Sequence, residues 1–186
     1  MKRLFDFFIG AILLPLVALP MLIIGIAVRL TSTGPVLYWS DRVGRDNEIF
    51  RMPKFRSMRM DTPAVATHLM TDAETFLTPI GGILRRYSLD ELPQLFSILK
   101  GDMSFVGPRP ALFNQEDLIV LRKNNGVDKL VPGLTGWAQV NGRDNLSIPE
   151  KVELDVEYLK RKSIWFDSKI LMYTLIKAIM KEGVKH

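Results

Sequence analysis

LFDFFIGAILLPLVALPMLIIGIAV, residues 4–28, is apolar throughout apart from Asp6. About 20 helical residues cross a hydrocarbon core, so this run is long enough to do so. Pro15 and Pro20 lie inside it, and each removes a helical hydrogen bond and presses on the preceding turn. Both flanks are basic: Lys2 and Arg3 before, Arg29 after, with Arg42 and Arg45 following. Basic flanks stay on the cytoplasmic side, which puts both ends of the run on one face of a membrane. The expectation is a re-entrant helix over residues 1–30 that bends at Pro20, dips in and returns. A straight span satisfies the length alone. A cleaved signal peptide would need a small-x-small cleavage site, which is missing after the run. Irregular backbone at membrane depth needs protein cover, so the bend is expected to pack against residues 31–186, read as one cytosolic unit.

The composition agrees with one concentrated apolar segment. The chain has 186 residues, enough for a single domain with a real core. Hydrophobic residues make up 47% beside 24% charged ones, and the mean hydropathy is +0.11. The net charge of +5 suits anionic partners: nucleic acid, anionic lipid or a phosphorylated substrate. Nucleic acid fits poorly, because the basic residues are scattered, no recognised module appears and an apolar anchor is present. There are no cysteines, which excludes disulfides and thiolate metal sites. His68 has no companion at metal-ligand spacing and reads as a surface residue.

Outward from the apolar run, residues 36–42 and 48–58 read as strands around the turn Gly44-Arg45-Asp46-Asn47. Alternation would put Lys54 and Arg56 on one face of the second strand. Residues 61–78 are polar and weakly periodic, a loop with one short helix. A helix is expected over residues 81–87. Leu92, Leu95, Phe96 and Leu99 then form a core stripe at helical spacing, stopped at Gly101. Strands are expected at residues 103–106 and 138–141, and a helix at 111–125. Trp137 reads as a core residue or a membrane-interface anchor. Ser147 and Glu150 form a capping box that opens a helix to about residue 162. Residues 167–182 are amphipathic: Ile170, Leu171, Leu175, Ile176 and Ile179 lie against Lys169, Lys177 and Lys181. That pattern suits a helix in the headgroup layer or one facing a core. The fold class is therefore mixed α/β, mostly helical with a small β-hairpin. As a membrane protein it is monotopic, with the re-entrant helix and interfacial amphipathic helices.

The chemistry concentrates in RRYSLDELPQLFSILKGDMSFVGPRP, residues 85–110. The acidic pair Asp90 and Glu91 lies between Arg85 and Arg86 on one side and Lys100 and Arg109 on the other. A carboxylate can attack phosphorus or hold a divalent cation, and arginine grips phosphoryl oxygens with a planar fork. The same residues also fit a capping box, with Ser88 as N-cap and Glu91 reaching back to it. Pro108 and Pro110 stiffen the backbone around Arg109, which suits either a phosphate-binding residue or a rigid connector.

SLDELPQLFSILKGDMSFVGPRP (residues 88–110), KFRSMR (54–59) and PGLTGWAQVNGR (132–143) together resemble the bacterial sugar transferases, the monotopic phosphoglycosyl transferases that begin glycan assembly on a polyprenol phosphate. The resemblance covers nearly the whole chain. One departure is Leu19-Pro20 at the bend, where the family often has Ser-Pro. The resemblance implies transfer of a sugar-1-phosphate from a UDP-sugar to polyprenol phosphate, with UMP released. It implies Asp90 as a nucleophile that forms a phosphosugar-aspartate intermediate, with Glu91 holding Mg²⁺ or assisting deprotonation; Asp90 and Glu91 are the candidate metal ligands. Lys54, Arg56, Arg85, Arg109 and Arg143 are the candidate phosphate- and nucleotide-binding residues. It implies the cytoplasmic face of the bacterial inner membrane, membrane lipids as partners, and leaves a homo-oligomer open. The rival expectation is a non-catalytic polybasic membrane adaptor in which Asp90 and Glu91 are helix caps.

Overall fold

The computed structural model describes residues 1–62, 73–142 and 145–180. The expected loop helix within 61–78 falls mostly in the first gap, where His68 also lies outside the described residues. The chain re-emerges from that gap in a 3-10 turn at Ala73–Phe76.

The apolar run forms α1, Lys2–Thr31, one unbroken helix assignment of 30 residues that includes Pro15 and Pro20. At 1.5 Å per residue it is roughly 45 Å long. Among the described residues it is the one helix long and apolar enough to cross a membrane by length and composition. Its buried residues are Asp6, Gly10 and Val28, while Phe8, Ile12, Leu16, Leu19, Ile23 and Leu30 are exposed. One narrow stripe therefore packs on the domain and the rest is left apolar and uncovered.

That stripe is fixed at both ends to the same globular body. Lys2 donates to Asp167 at 2.5 Å, and the Arg3 guanidinium donates to the carbonyls of Ile98 and Leu99. Asp6 accepts from the backbone N–H of Phe105. At the other end Arg56 donates to the carbonyls of Thr33 and Ser32 and to the Ser32 hydroxyl. Between them Ile9, Leu13, Leu14 and Val17 pack on the main core, built from Met52, Ile98, Met103, Val106, Phe166 and Ile170 among others. Gly10 permits the close approach of α1 to the next helix layer, since a Cβ there would sit 2.8 Å from Leu99 Cδ2.

The β-hairpin forms, with its second strand ending at Phe55 rather than running on to residue 58. β1, Leu37–Val43, pairs antiparallel with β2, Ile49–Phe55, around a turn in which Asp46 and Asn47 take positive φ. The register pairs Tyr38 with Lys54 and Arg42 with Phe50. β2 ends at Phe55, so Arg56 leaves the strand and turns inward under the end of α1.

α2 spans Gly81–Arg86. The capping box expected at Ser88 does not form. Ser88 sits in the left-handed region (φ 53°) with no side-chain cap, and a 3-10 turn, Leu89–Glu91, carries the acid pair. The physical reason is packing. Leu89 and Leu92 are drawn onto a cluster of Val28, Phe55 and Leu84, and Pro93 takes the cap position of α3, Gln94–Lys100. The stripe on α3 is also corrected: Leu95 and Ile98 are in the core, while Phe96 is 51% exposed. Gly101 ends α3 with φ 107°, the left-handed conformation that glycine takes freely.

β3, Ser104–Val106, pairs in parallel with β4, Gly133–Thr135. α4, Glu116–Asn124, is shorter than expected, and a 3-10 turn at Val127–Lys129 comes after it. The strand expected at 138–141 is instead a helical turn, α5, Trp137–Val140. Trp137 packs against Phe166 at 5.1 Å and donates to Glu157, so it is a partly buried residue at the edge of the core. α6, Ile148–Arg161, opens with the expected capping box. α7, Ile164–Met180, starts earlier than expected. Its Ile170 is fully buried, whereas Met172, Leu175, Ile176 and Trp165 are exposed. The whole is mostly helical, with one small antiparallel hairpin and one short parallel pair among the described residues.

Candidate active site

The acid pair is held by the elements around it. Leu89 and Leu92 flank it and anchor the turn on Val28 of α1, Phe55 of β2 and Leu84 of α2. Asp90 is 8% exposed. Burial raises its carboxyl pKa above the ordinary value; Lys54 opposes this, Glu91 adds to it, and Arg85 again opposes it. Burial and the cations around it set Asp90 apart from an exposed helix cap.

Glu91 reaches two cations. Its Oε1 lies 2.8 Å from Lys54 Nζ and 3.6 Å from Arg109 Nη2. β2 supplies Lys54, the 3-10 turn supplies the acids, α2 supplies Arg85 and the two-proline turn supplies Arg109. Four of the five cations expected to bind phosphate thus meet different fates. Lys54, Arg85 and Arg109 converge on the acid pair. Arg56 does not act there: it is 3% exposed, and its guanidinium is taken up by Ser32 and Thr33 at the end of α1. Arg143, the fifth, lies outside the described residues.

The turn that presents Arg109 is tied at three successive carbonyls. Pro108 accepts from the backbone N–H of Gly133 at 2.9 Å. Arg109 accepts from Arg122 Nη1 at 2.8 Å, and Pro110 accepts from Arg42 Nη1 at 3.2 Å. Arg122 is itself held by Asp155, 1% exposed, through Nε at 3.0 Å and Nη2 at 2.7 Å. The prolines alone do not set the turn.

Arg42 is the site residue that sequence reasoning missed. Its pKa is lowered to about 10, first by burial and then by Arg109, while Glu91 pulls it back up. A signal existed. Lys54 lies opposite Tyr38, and alternation from Tyr38 through Ser40 brings Arg42 to the same face. Arg122 and Asp155 gave no such signal.

The arrangement suits chemistry on a phosphoryl group: a shielded carboxylate, a second carboxylate beside it, and cations from four separate elements. The donor set also fits Mg²⁺, which typically takes one or two carboxylates and completes its shell with water and substrate phosphates. Among the described residues no group of three or more His, Cys, Asp or Glu side chains could hold a metal without such a partner.

Residues 1–181 match the family described as bacterial sugar transferase. The UDP-glucose:undecaprenyl-phosphate glucose-1-phosphate transferase of Escherichia coli K12 is 40% identical over 98% of this chain, which covers 41% of that protein. An uncharacterized sugar transferase of Bacillus subtilis 168 is 40% identical over all of this chain and 90% of its own length. The UDP-N-acetylgalactosamine-undecaprenyl-phosphate N-acetylgalactosaminephosphotransferase of Aeromonas hydrophila is 35% identical over 94% of this chain and 42% of its own. The chain thus spans about two fifths of the two relatives named for a reaction and nearly all of the Bacillus one. It belongs to the bacterial sugar transferase family.

Proposed function

We propose that the chain transfers a sugar-1-phosphate from a UDP-sugar to polyprenol (undecaprenyl) phosphate, giving the polyprenyl-diphosphate-sugar and UMP, as a first membrane step of glycan assembly. The observation that carries this reading is the buried Asp90 beside Glu91, ringed by Lys54, Arg85, Arg109 and Arg42. The reactions in the names of the Escherichia and Aeromonas relatives support the substrate classes.

A carboxylate oxygen of Asp90 attacks the sugar-proximal phosphorus. The bond from that phosphorus to the bridging oxygen breaks and UMP leaves with the electron pair. The resulting phosphosugar-aspartate is attacked at the same phosphorus by a phosphate oxygen of the lipid acceptor, and Asp90 departs as carboxylate. Both substrates are anionic, so the cations serve to lower the repulsion a carboxylate nucleophile would meet. Arg109 and Lys54 lie where they would pass from Glu91 to the phosphoryl oxygens. Asp90 and Glu91 would hold Mg²⁺, which neutralises charge developing on the phosphates. The adaptor alternative asks for a solvated basic face, whereas these cations converge inward.

The membrane reading is part of the proposal. α1 has both ends tied to one globular body, through Lys2 and Arg3 at one end and Arg56 at the other. α1 would set its uncovered apolar face in the bilayer and keep both ends on the side of the domain, the cytoplasmic face of the inner membrane, as its basic flanks favour. The exposed Trp165, Met172, Leu175 and Ile176 of α7 suit the headgroup layer.

The test is a donor-only incubation. With UDP-sugar and Mg²⁺ but no lipid, the protein should release UMP and gain the mass of a sugar phosphate on the peptide holding Asp90. Asp90→Asn should do neither. An Asp90→Asn protein that still turns over normally once lipid acceptor is added would end the covalent reading and leave direct attack by the lipid phosphate.

A further inference from the structure

A groove of about 580 Å³ runs between the second half of α1, the open end of the hairpin and the start of α3. Its walls include Leu22, Gly25 and Ile26 of α1, Phe55 of β2, and Pro93 and Phe96 at the head of α3, with Arg29 contributing the charge. The volume lies within the roughly 300–1,000 Å³ of small-molecule clefts. It is not a gap left by poor packing of a soluble core. Leu22, Ile26 and Phe96 are each more than half exposed, so three large apolar side chains from two helices face a common open space.

We propose that this groove holds the first isoprene units of the polyprenyl phosphate acceptor. The inference rests on the transferase reading above and adds the acceptor's place. Three observations select this occupant. The lining is apolar, which a water-soluble nucleotide sugar would not use. One charged side chain, Arg29, complements a phosphate at the end of an apolar chain. The groove also abuts the acid turn: Pro93 forms part of its wall, and Asp90 lies three residues upstream of it, roughly 6 Å at a 3-10 rise. Phe55 faces the groove, and Lys54 beside it in sequence holds Glu91. Phe55 also packs in the cluster that receives Leu89 and Leu92, which bracket the acid pair, so the groove and the acid turn meet at the end of β2. A chain seated on Phe96 and Pro93 brings its phosphate round that end to Asp90. An ordinary membrane lipid would match the apolar walls but has no reason to be placed beside the acid pair.

Gly25 gives a clean way to fill the space. A Cβ there would meet Val36 and Phe55 at 3.5 and 3.8 Å, ordinary contact, so a side chain is accepted at its root and projects into the groove. The probe is a polyprenyl phosphate carrying a diazirine in its second isoprene unit, offered to the full chain in nanodiscs and mapped by mass spectrometry. Labelling is expected on the peptides holding Gly25 and Phe96. Gly25→Leu should reduce it and raise KM for the polyprenyl phosphate about tenfold, with KM for the UDP-sugar unchanged, because buried isoprenoid surface is lost. Phe96→Ala, at an exposed position that folding does not need, should also reduce it. Labelling elsewhere, labelling unchanged in both variants, or displacement by phosphatidylglycerol as effective as by unlabelled polyprenyl phosphate would each overturn the proposal. Photolabelling does not depend on turnover. A chain that labels here but releases no UMP keeps the groove and loses the transferase reading, and one that turns over but labels elsewhere loses the groove alone.

Discussion

Replacing Arg122 and Asp155 separates what holds the fold from what aims Arg109. The pair is buried, with side-chain exposures of 12% and 2%, and Arg122 also donates to the Arg109 carbonyl. Removing one partner of a buried pair costs about 3–5 kcal/mol, because a charge is stranded. Arg122→Met should fall at the lower end, about 3 kcal/mol, since burial already raises the Asp155 pKa and the stranded acid can take a proton. The double variant Arg122→Met, Asp155→Leu strands no charge, and replacing a buried pair by apolar residues is often neutral. Its stability should return to within about 1 kcal/mol of wild type. Its activity should not return. The Arg109 carbonyl has lost its donor, and misplacement by about 1 Å costs on the order of a hundredfold in rate. Urea unfolding in detergent micelles reads the first quantity and UMP release the second. A double variant with wild-type stability and wild-type kcat would refute the reasoning and hand the turn to its prolines alone. A single Arg122→Met with unchanged stability would refute the energetics.

Three other perturbations probe the acid, the anchor and the strained turn. Because Asp90 must be ionised to attack and burial raises its pKa, donor-only UMP release should rise with pH through a midpoint above the ordinary carboxylate value of 3.8. The raised value also means that Asp90 stabilises the fold below pH 3.8 and loses that contribution as pH climbs through the folded-state pKa, so Asp90→Asn at pH 7 should lose turnover while melting no lower than wild type. Asp167→Ala leaves Lys2 unpaired and deprives the Tyr158 hydroxyl of its 2.7 Å acceptor, which should cost about 1–3 kcal/mol in urea unfolding; an unchanged midpoint would mean that the N-terminal end of α1 is held by Arg3 and Asp6 alone. Ser88→Gly relieves a left-handed non-glycine backbone, worth about 1–2 kcal/mol before the extra entropy of the unfolded chain, and should raise the melting temperature unless that strain is absent.

Features set by neighbouring residues were legible in the sequence, and features set by distant ones were not. The hairpin turn, the Ser147 capping box and the stop at Gly101 each rest on a few consecutive residues. The Ser88 box had the same local credentials and failed, because Leu89 and Leu92 are claimed by Val28, Phe55 and Leu84 from three other elements. The parallel pairing of Ser104–Val106 with Gly133–Thr135 joins segments far apart in the chain and leaves no local mark. Within the candidate site, Asp90, Glu91, Lys54, Arg85 and Arg109 were singled out by residue type and motif, and the structure brings them together. Alternation misplaced Arg56, because the strand ends one residue before it, and it held the clue to Arg42 that residue type alone did not use. The Arg122–Asp155 pair joins residues on different helices, α4 and α6, and neither position looks different from a solvated helix face until the fold brings them together.

The apolar helix α1 and the candidate site share one support, which in the proposed membrane placement gives α1 a role beyond attachment. Val28, near the end of α1, is fully buried in the cluster that receives Leu89 and Leu92, the two residues bracketing Asp90 and Glu91. At its other end, α1 sends Arg3 to the last carbonyls of α3, the helix next after the acid turn. The acid turn and α3 are therefore gripped at both ends by one long apolar helix. In the proposed reaction the acceptor's phosphate is held at the membrane surface by its lipid, so only the depth of the carboxylate is left for the protein to set. A nucleophile mounted on a loop of a loosely tethered domain would meet that phosphate over a wide range of heights and angles. Mounted on α1, it would meet the phosphate at a height fixed by the proposed seat of α1 in the bilayer, and positioning of this kind is worth several orders of magnitude in rate.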